Sequence, residues 1–120
     1  MTDRGITCGD VTANPGESKF GYLHVGYMAA NTECRIPFQI INGAKEGPVL
    51  CVESTLHGWE PVGAEIIRRA LLQVDAENLA GTVLSLPLAH PFTVEFGGNI
   101  EGAGLGTNPS ANFNLNRGFP

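Results

Sequence analysis

The strongest constraint on the fold is the order of three segments between residues 49 and 89. Residues 49–56 (VLCVESTL) are an apolar, partly β-branched run of strand length. After Pro61 the apolar or small residues fall at 63, 66, 67, 70, 71 and 74, with Glu65, Arg68, Arg69 and Gln73 opposite, the spacing of one helix face. Pro61 suits the first turn because its missing N–H has no partner there in any case, and Glu60 beside it favours the positive end of the helix dipole. Gly81-Thr82 then opens TVLSLPLA, a second buried-strand run that ends at His90-Pro91. Strand, helix, strand implies a right-handed crossover and two parallel neighbours, so the sequence predicts an α/β fold, a mixed β-sheet with a flanking helix. Ligands of such sheets sit beyond the carboxyl ends of the strands, where His57 falls.

Two more strands precede this unit. Residues 20–27 (FGYLHVGY) alternate apolar with small or polar residues, and residues 35–42 (RIPFQIIN) end in β-branched ones, so a short meander is expected. Asn42-Gly43 begins a connection that Gly47-Pro48 closes. Residues 1–19 are polar, with an Asn14-Pro15-Gly16 turn signal, and read as an extended arm. Residues 20–91 are the expected core, and residues 92–120 a long substrate-side loop, too glycine-rich for a routine connection. The glycines at 102, 104 and 106 do not sit between a strand and a helix, which argues against dinucleotide binding.

Charge removes whole classes of partner. With a net charge of −5 and only seven Lys and Arg in 120 residues, no basic surface for a phosphate backbone is expected, so nucleic acid is set aside. No stretch approaches the roughly 18 apolar residues of a membrane span, and the first residues lack a secretory signal. Cys8, Cys34 and Cys51 are odd in number and far apart, which indicates neither a disulfide framework nor a cysteine zinc site. A cytoplasmic protein without a membrane partner is the expectation.

Two clusters can carry chemistry. In LHGWEP, His57 and Glu60 stand three apart between a strand end and a helix start, so imidazole and carboxylate can reach one ion, with Gly58 permitting a tight turn. Glu60 as an ordinary helix-terminus carboxylate is the competing reading. Further on, Asn116 and Arg117 lie in NLNR, after a stretch from 70 to 116 without Lys or Arg. A guanidinium beside an amide suits bidentate capture of a carboxylate, although an arginine can equally be plain surface. A serine hydrolase is disfavoured, since no G-x-S-x-G occurs and Ser54 and Ser85 fall in the strand runs.

Taken together, the G-x-x-x-G-P approach (Gly43 to Pro48), the H-G-x-E pair, GTVLSLPLAHP and NLNRGFP resemble the succinylglutamate desuccinylase/aspartoacylase family of zinc carboxypeptidase-like deacylases, over most of positions 36–120. The resemblance implies the amino-terminal part of a zinc carboxypeptidase-like (phosphorylase/hydrolase-like) fold. It implies Zn2+ held by His57 and Glu60, a carboxylate gripped by Asn116 and Arg117, and hydrolysis of the amide bond of an N-acylated amino acid or similar small molecule. Three departures matter. Trp59 stands where the family has Asp or Asn, and the family's oxyanion arginine has no counterpart between 70 and 116. The family's third ligand, a histidine, and its catalytic glutamate lie beyond the N-L-N-R segment, so the 120-residue chain alone is expected to be inactive. Of the other histidines, His24 sits inside a strand and His90 follows a strand end at the family's Asn-Pro position. A partial sheet leaves an open edge, so a homo-oligomer is expected. The alternative is a non-catalytic structural or interaction module on the same fold.

Overall fold

The computed structural model describes residues 4–95. Six strands and two helices follow in order: β1 (Ile6–Cys8), β2 (Val11–Ala13), β3 (Glu17–Tyr27), β4 (Glu33–Asn42), β5 (Lys45–Glu53), α1 (Val62–Leu71), β6 (Ala80–Leu86) and α2 (Pro91–Glu95). The main sheet has the order β3-β4-β6-β5. β3 and β4 are antiparallel, as are β4 and β6, whereas β5 and β6 are parallel and joined through α1. The expected mixed sheet with a flanking helix is therefore the observed one.

The amino-terminal residues correct the expectation of an extended arm. β1 and β2 form an antiparallel hairpin whose two-residue turn is Gly9-Asp10, with Gly9 at φ 57°, and β3 begins within the segment assigned to the arm. The hairpin covers one face of the sheet: Ala13, Phe38 and Ile40 form a buried cluster against which Ile6, Cys8, Val11, Leu23, Leu84 and Leu86 pack. Buried Asn42 ties the layers together. Its amide donates to the carbonyls of Arg4 and Ala13 at 2.8 and 2.9 Å, and its oxygen accepts from Thr82 Oγ1 at 3.0 Å. Each of these side-chain atoms is satisfied, as burial of a polar group demands.

The connection expected from 42 to 48 is shorter than its glycine and proline signals imply, because β5 already starts at Lys45. These glycines serve close approach instead. A Cβ at Gly43 would strike the carbonyl of Leu79, and one at Gly47 would lie 2.7 Å from the Ala80 carbonyl carbon. Gly81 opposite, at φ 101°, occupies a region that L side chains rarely adopt.

α1 starts after Pro61 as expected; Glu65 lies in its first turn and Arg68 and Arg69 in its last, complementing the helix dipole. Of its apolar stripe Ile67 is buried, while Ile66 is exposed. β6 is largely buried, as its sequence predicts. β5 corrects the expectation of a buried strand: it is a sheet edge among the described residues, and Val49 and Leu50 are exposed. The expected loop from residue 92 begins with the short helix α2, and its remainder lies outside the described residues.

Candidate metal half-site

β5 ends at Glu53, and the next seven residues build the site. Ser54 donates its N–H to Leu86, prolonging the parallel pairing by one bond. Thr55 then takes φ 57°, a left-handed conformation that is a genuine outlier for a β-branched residue. Two sets of bonds hold it there. Its hydroxyl donates to the Pro87 carbonyl at 3.0 Å, and the N–H groups of Ala89 and His90 donate to the carbonyls of Ser54 and Thr55 at 3.0 and 3.2 Å. The loop after β5 is thus stitched to the loop after β6, and the chain is turned off the strand axis just ahead of His57.

Residues 57–60 close a tight turn in which Glu60 donates its N–H to the His57 carbonyl at 3.1 Å. That turn brings the two predicted ligands together: His57 Nδ1 and Glu60 Oε2 are 2.8 Å apart. The imidazole is mostly enclosed, with 14% of its side chain exposed, whereas the carboxylate is open to solvent at 56%. Trp59 lies flat on the imidazole, ring centroids 5.1 Å apart and planes 12° from parallel, so the residue that departs from the family pattern shields one face of a candidate ligand. Gly58 is required by contact: a Cβ there would collide with the carbonyl of Thr93.

The pair suits a metal as far as two donors can. Zinc at bonds of about 2.0–2.1 Å in tetrahedral geometry holds neighbouring donors roughly 3.3 Å apart, so a 2.8 Å contact needs only slight opening. Both donor types, imidazole nitrogen and carboxylate oxygen, are those of catalytic zinc sites. Among the described residues, however, no three His, Cys, Asp or Glu side chains converge as a metal-holding group. His24 is engaged elsewhere, its Nδ1 2.9 Å from Glu33 Oε1 on the exposed side of the β3–β4 hairpin. His90 comes to the His57 loop without completing a triad. Burial first, and the nearby His57 charge less, hold its imidazole below the ordinary histidine range, partly offset by a hydrogen bond to the Leu56 backbone. Its Nδ1 is buried and has no partner. Asn116 and Arg117 lie outside the described residues.

Sequence reasoning missed Thr55 and Thr93. Nothing in VLCVESTL marks a left-handed residue. Thr93 was detectable, because Pro91 marks a helix start and Thr93 falls in its first turn: the Thr93 N–H and hydroxyl donate to the His90 carbonyl at 3.3 and 2.9 Å. A cleft of about 400 Å³, lined in part by Tyr22, Arg35, Pro37, Leu88 and Phe92, borders the segment that carries His90 and not the His57–Glu60 pair.

No family model and no curated protein matches this chain. Solved structures do. The product-bound ectoine utilization protein EutE (DoeB) of Ruegeria pomeroyi is 22% identical, with a TM-score of 0.65 over 86% of this chain and 30% of its own. An aspartoacylase family protein of Mesorhizobium loti is 24% identical, with a TM-score of 0.66 over 100% of this chain and 34% of its own. A succinylglutamate desuccinylase of a Silicibacter species is 21% identical, with a TM-score of 0.61 over 99% of this chain and 33% of its own. The chain therefore has the fold found in succinylglutamate desuccinylase/aspartoacylase structures, and it spans about a third of their length.

Proposed function

We propose that this chain carries the amino-terminal part of the active site of a zinc-dependent deacylase, which hydrolyses the amide bond of an N-acylated amino acid or a similar small molecule. The observation that carries the reading is the convergence of His57 Nδ1 and Glu60 Oε2 at 2.8 Å, just beyond the carboxyl end of β5. Ligand sites in sheets with parallel strands occur at that end. The fold shared with deacylase structures supports the same reading.

In this proposal His57 and Glu60 hold the ion, which when bound supplies Lewis acidity toward water and the amide carbonyl. The remaining work falls to the chain. An imidazole nitrogen binds the ion only when it carries no proton, so metal binding weakens in acid. Trp59 keeps water from one face of the imidazole, and the bonds from residues 87–90 fix the loop that presents it. Asn116 and Arg117 grip the substrate's carboxylate, the guanidinium supplying two parallel N–H donors. Zinc titration of the chain and of His57→Ala and Glu60→Gln tests the assignment by calorimetry. Each substitution is expected to weaken binding by at least about tenfold, since removing even the outer partners of a metal ligand costs 10–100-fold. Equal affinity in all three proteins would reject the assignment.

A further inference from the structure

We propose that Cys8 and Cys51 form a reversible thiol–disulfide pair that staples the β1–β2 hairpin to β5, the strand leading into the candidate metal half-site. The proposal does not depend on the function proposed above.

The placement follows from the face of the sheet that β1 covers, the face to which Leu84 of β6 contributes. At its start Arg4 is anchored at the beginning of β5: its Nη2 donates to the Ala44 carbonyl at 2.8 Å, and its own carbonyl accepts from Asn42 at 2.8 Å. One step along, Ile6 and Val49 line the same cleft of about 440 Å³, together with Lys45 and Gly47. Side chains two apart on a strand share a face. Cys8 is two beyond Ile6, and Cys51 is two beyond Val49, so each thiol shares a strand face with a residue that lines the cleft.

Two further contacts agree. Cys51 stands in register with Leu84 of β6, and Leu84 packs on the same buried cluster as Cys8. The thiols also differ in access, Cys51 being exposed and Cys8 partly buried. Burial, and after it the charge of Cys51, raises the pKa of Cys8 and so disfavours its thiolate, and the exposed Cys51 is the thiol that meets an oxidant first.

That asymmetry sets the order of events with a small disulfide such as glutathione disulfide as oxidant. The Cys51 thiolate attacks one sulfur of the oxidant, the oxidant's S–S bond breaks, and one glutathione leaves as thiolate and takes up a proton. Cys8 then loses its proton and attacks Sγ of Cys51, the mixed disulfide breaks, and the second glutathione leaves. The two protein thiols are oxidised, the oxidant is reduced to two thiols, and the Cys8–Cys51 bond remains. Cys51 lies six residues before His57, so closure ties the hairpin to the strand that presents the imidazole.

The test is oxidation of the folded chain with glutathione disulfide, acid quenching, alkylation and peptide mass mapping. The expected product is a Cys8–Cys51 linked peptide that retains no glutathione, formed equally in Cys34→Ser and absent in Cys51→Ser. In urea the linkage is expected to lose its selectivity and to include Cys34. A stable glutathione adduct on Cys51 with Cys8 still alkylatable would overturn the proposal, as would a bond to Cys34 in the folded chain. Because Cys51 is exposed, Cys51→Ser leaves packing intact and serves as the folded control.

Discussion

β4 and β5 are both apolar strands, adjacent in sequence, yet they meet opposite fates. In β4, Ile40 and Ile41 are 0% and 1% exposed; in β5, Val49 and Leu50 are 63% and 57% exposed. The cause is sheet order, because β6 lies between them and gives β4 neighbours on both sides while leaving β5 at the edge. Apolar composition states what a strand would gain from cover; topology decides whether it receives any. The difference also bears on the candidate site, since the covered strands hold the framework and the uncovered one leads into the segment that carries His57.

The contrast can be tested by substitution. Ile40→Ala empties a site in the buried cluster and is expected to cost about 2–5 kcal/mol, read from the urea midpoint. A cost under about 1 kcal/mol would mean that the centre of the sheet is not its core. Gly58→Ala drives a Cβ against the Thr93 backbone and is expected to cost about 1–3 kcal/mol, and, on the proposed function, to weaken zinc binding as the loop shifts. Unchanged stability would show that residues 57–60 and α2 do not pack as described. Leu50→Ala is expected to stay within about 0.5 kcal/mol of the parent, as for exposed sites generally. A loss as large as that of Ile40→Ala would show that β5 is covered in solution by another copy or a further segment.

The smallest effect belongs to Glu65 on α1. Hydrogen bonds from Arg68, then Arg69, hold its carboxyl at about 2, against an ordinary value of 4.5. A carboxylate with a depressed folded pKa contributes its full share above the unfolded value and loses it as pH falls from about 4.5 to about 2. Glu65→Gln should therefore lower the thermal midpoint slightly at neutral pH, and the difference should vanish near pH 2 and shrink in high salt. A difference that persists at that acidity would assign the effect to packing.

The core strands and α1 were legible because their apolar spacing differs, and the approach of His57 to Glu60 because a turn of four residues has few ways to arrange two side chains. The amino-terminal hairpin was not read, although Ile6, Cys8, Val11 and Ala13 alternate around a Gly9-Asp10 turn. Its strands are only three residues long, too short for the period to stand out from polar surroundings. The exposure of β5 was not legible for a different reason. VLCVESTL and TVLSLPLA have similar composition, and which of them is central depends on pairings formed across some 40 residues, such as Asn42 with Thr82. Thr55 illustrates the limit at the site: its left-handed turn is imposed by bonds to Pro87 and His90, which no local pattern encodes.

The strand between β4 and β5 is also the last of the four described strands of the sheet to be made. A ribosome releases Glu33–Asn42 and Lys45–Glu53 while Ala80–Leu86 is still unsynthesised, and only Gly43 and Ala44 separate the first two. A nascent chain that zipped them into a hairpin would fill the gap β6 must enter, and non-local insertion is the slow kind of step. In the finished protein the Gly43 N–H is bonded to the carbonyl of Gly81, so the short link is completed by the latecomer. Biosynthesis thus adds a kinetic consideration that equilibrium stability does not reveal: a gap that is vacant, or that reopens, when its occupant leaves the exit tunnel lets the sheet close.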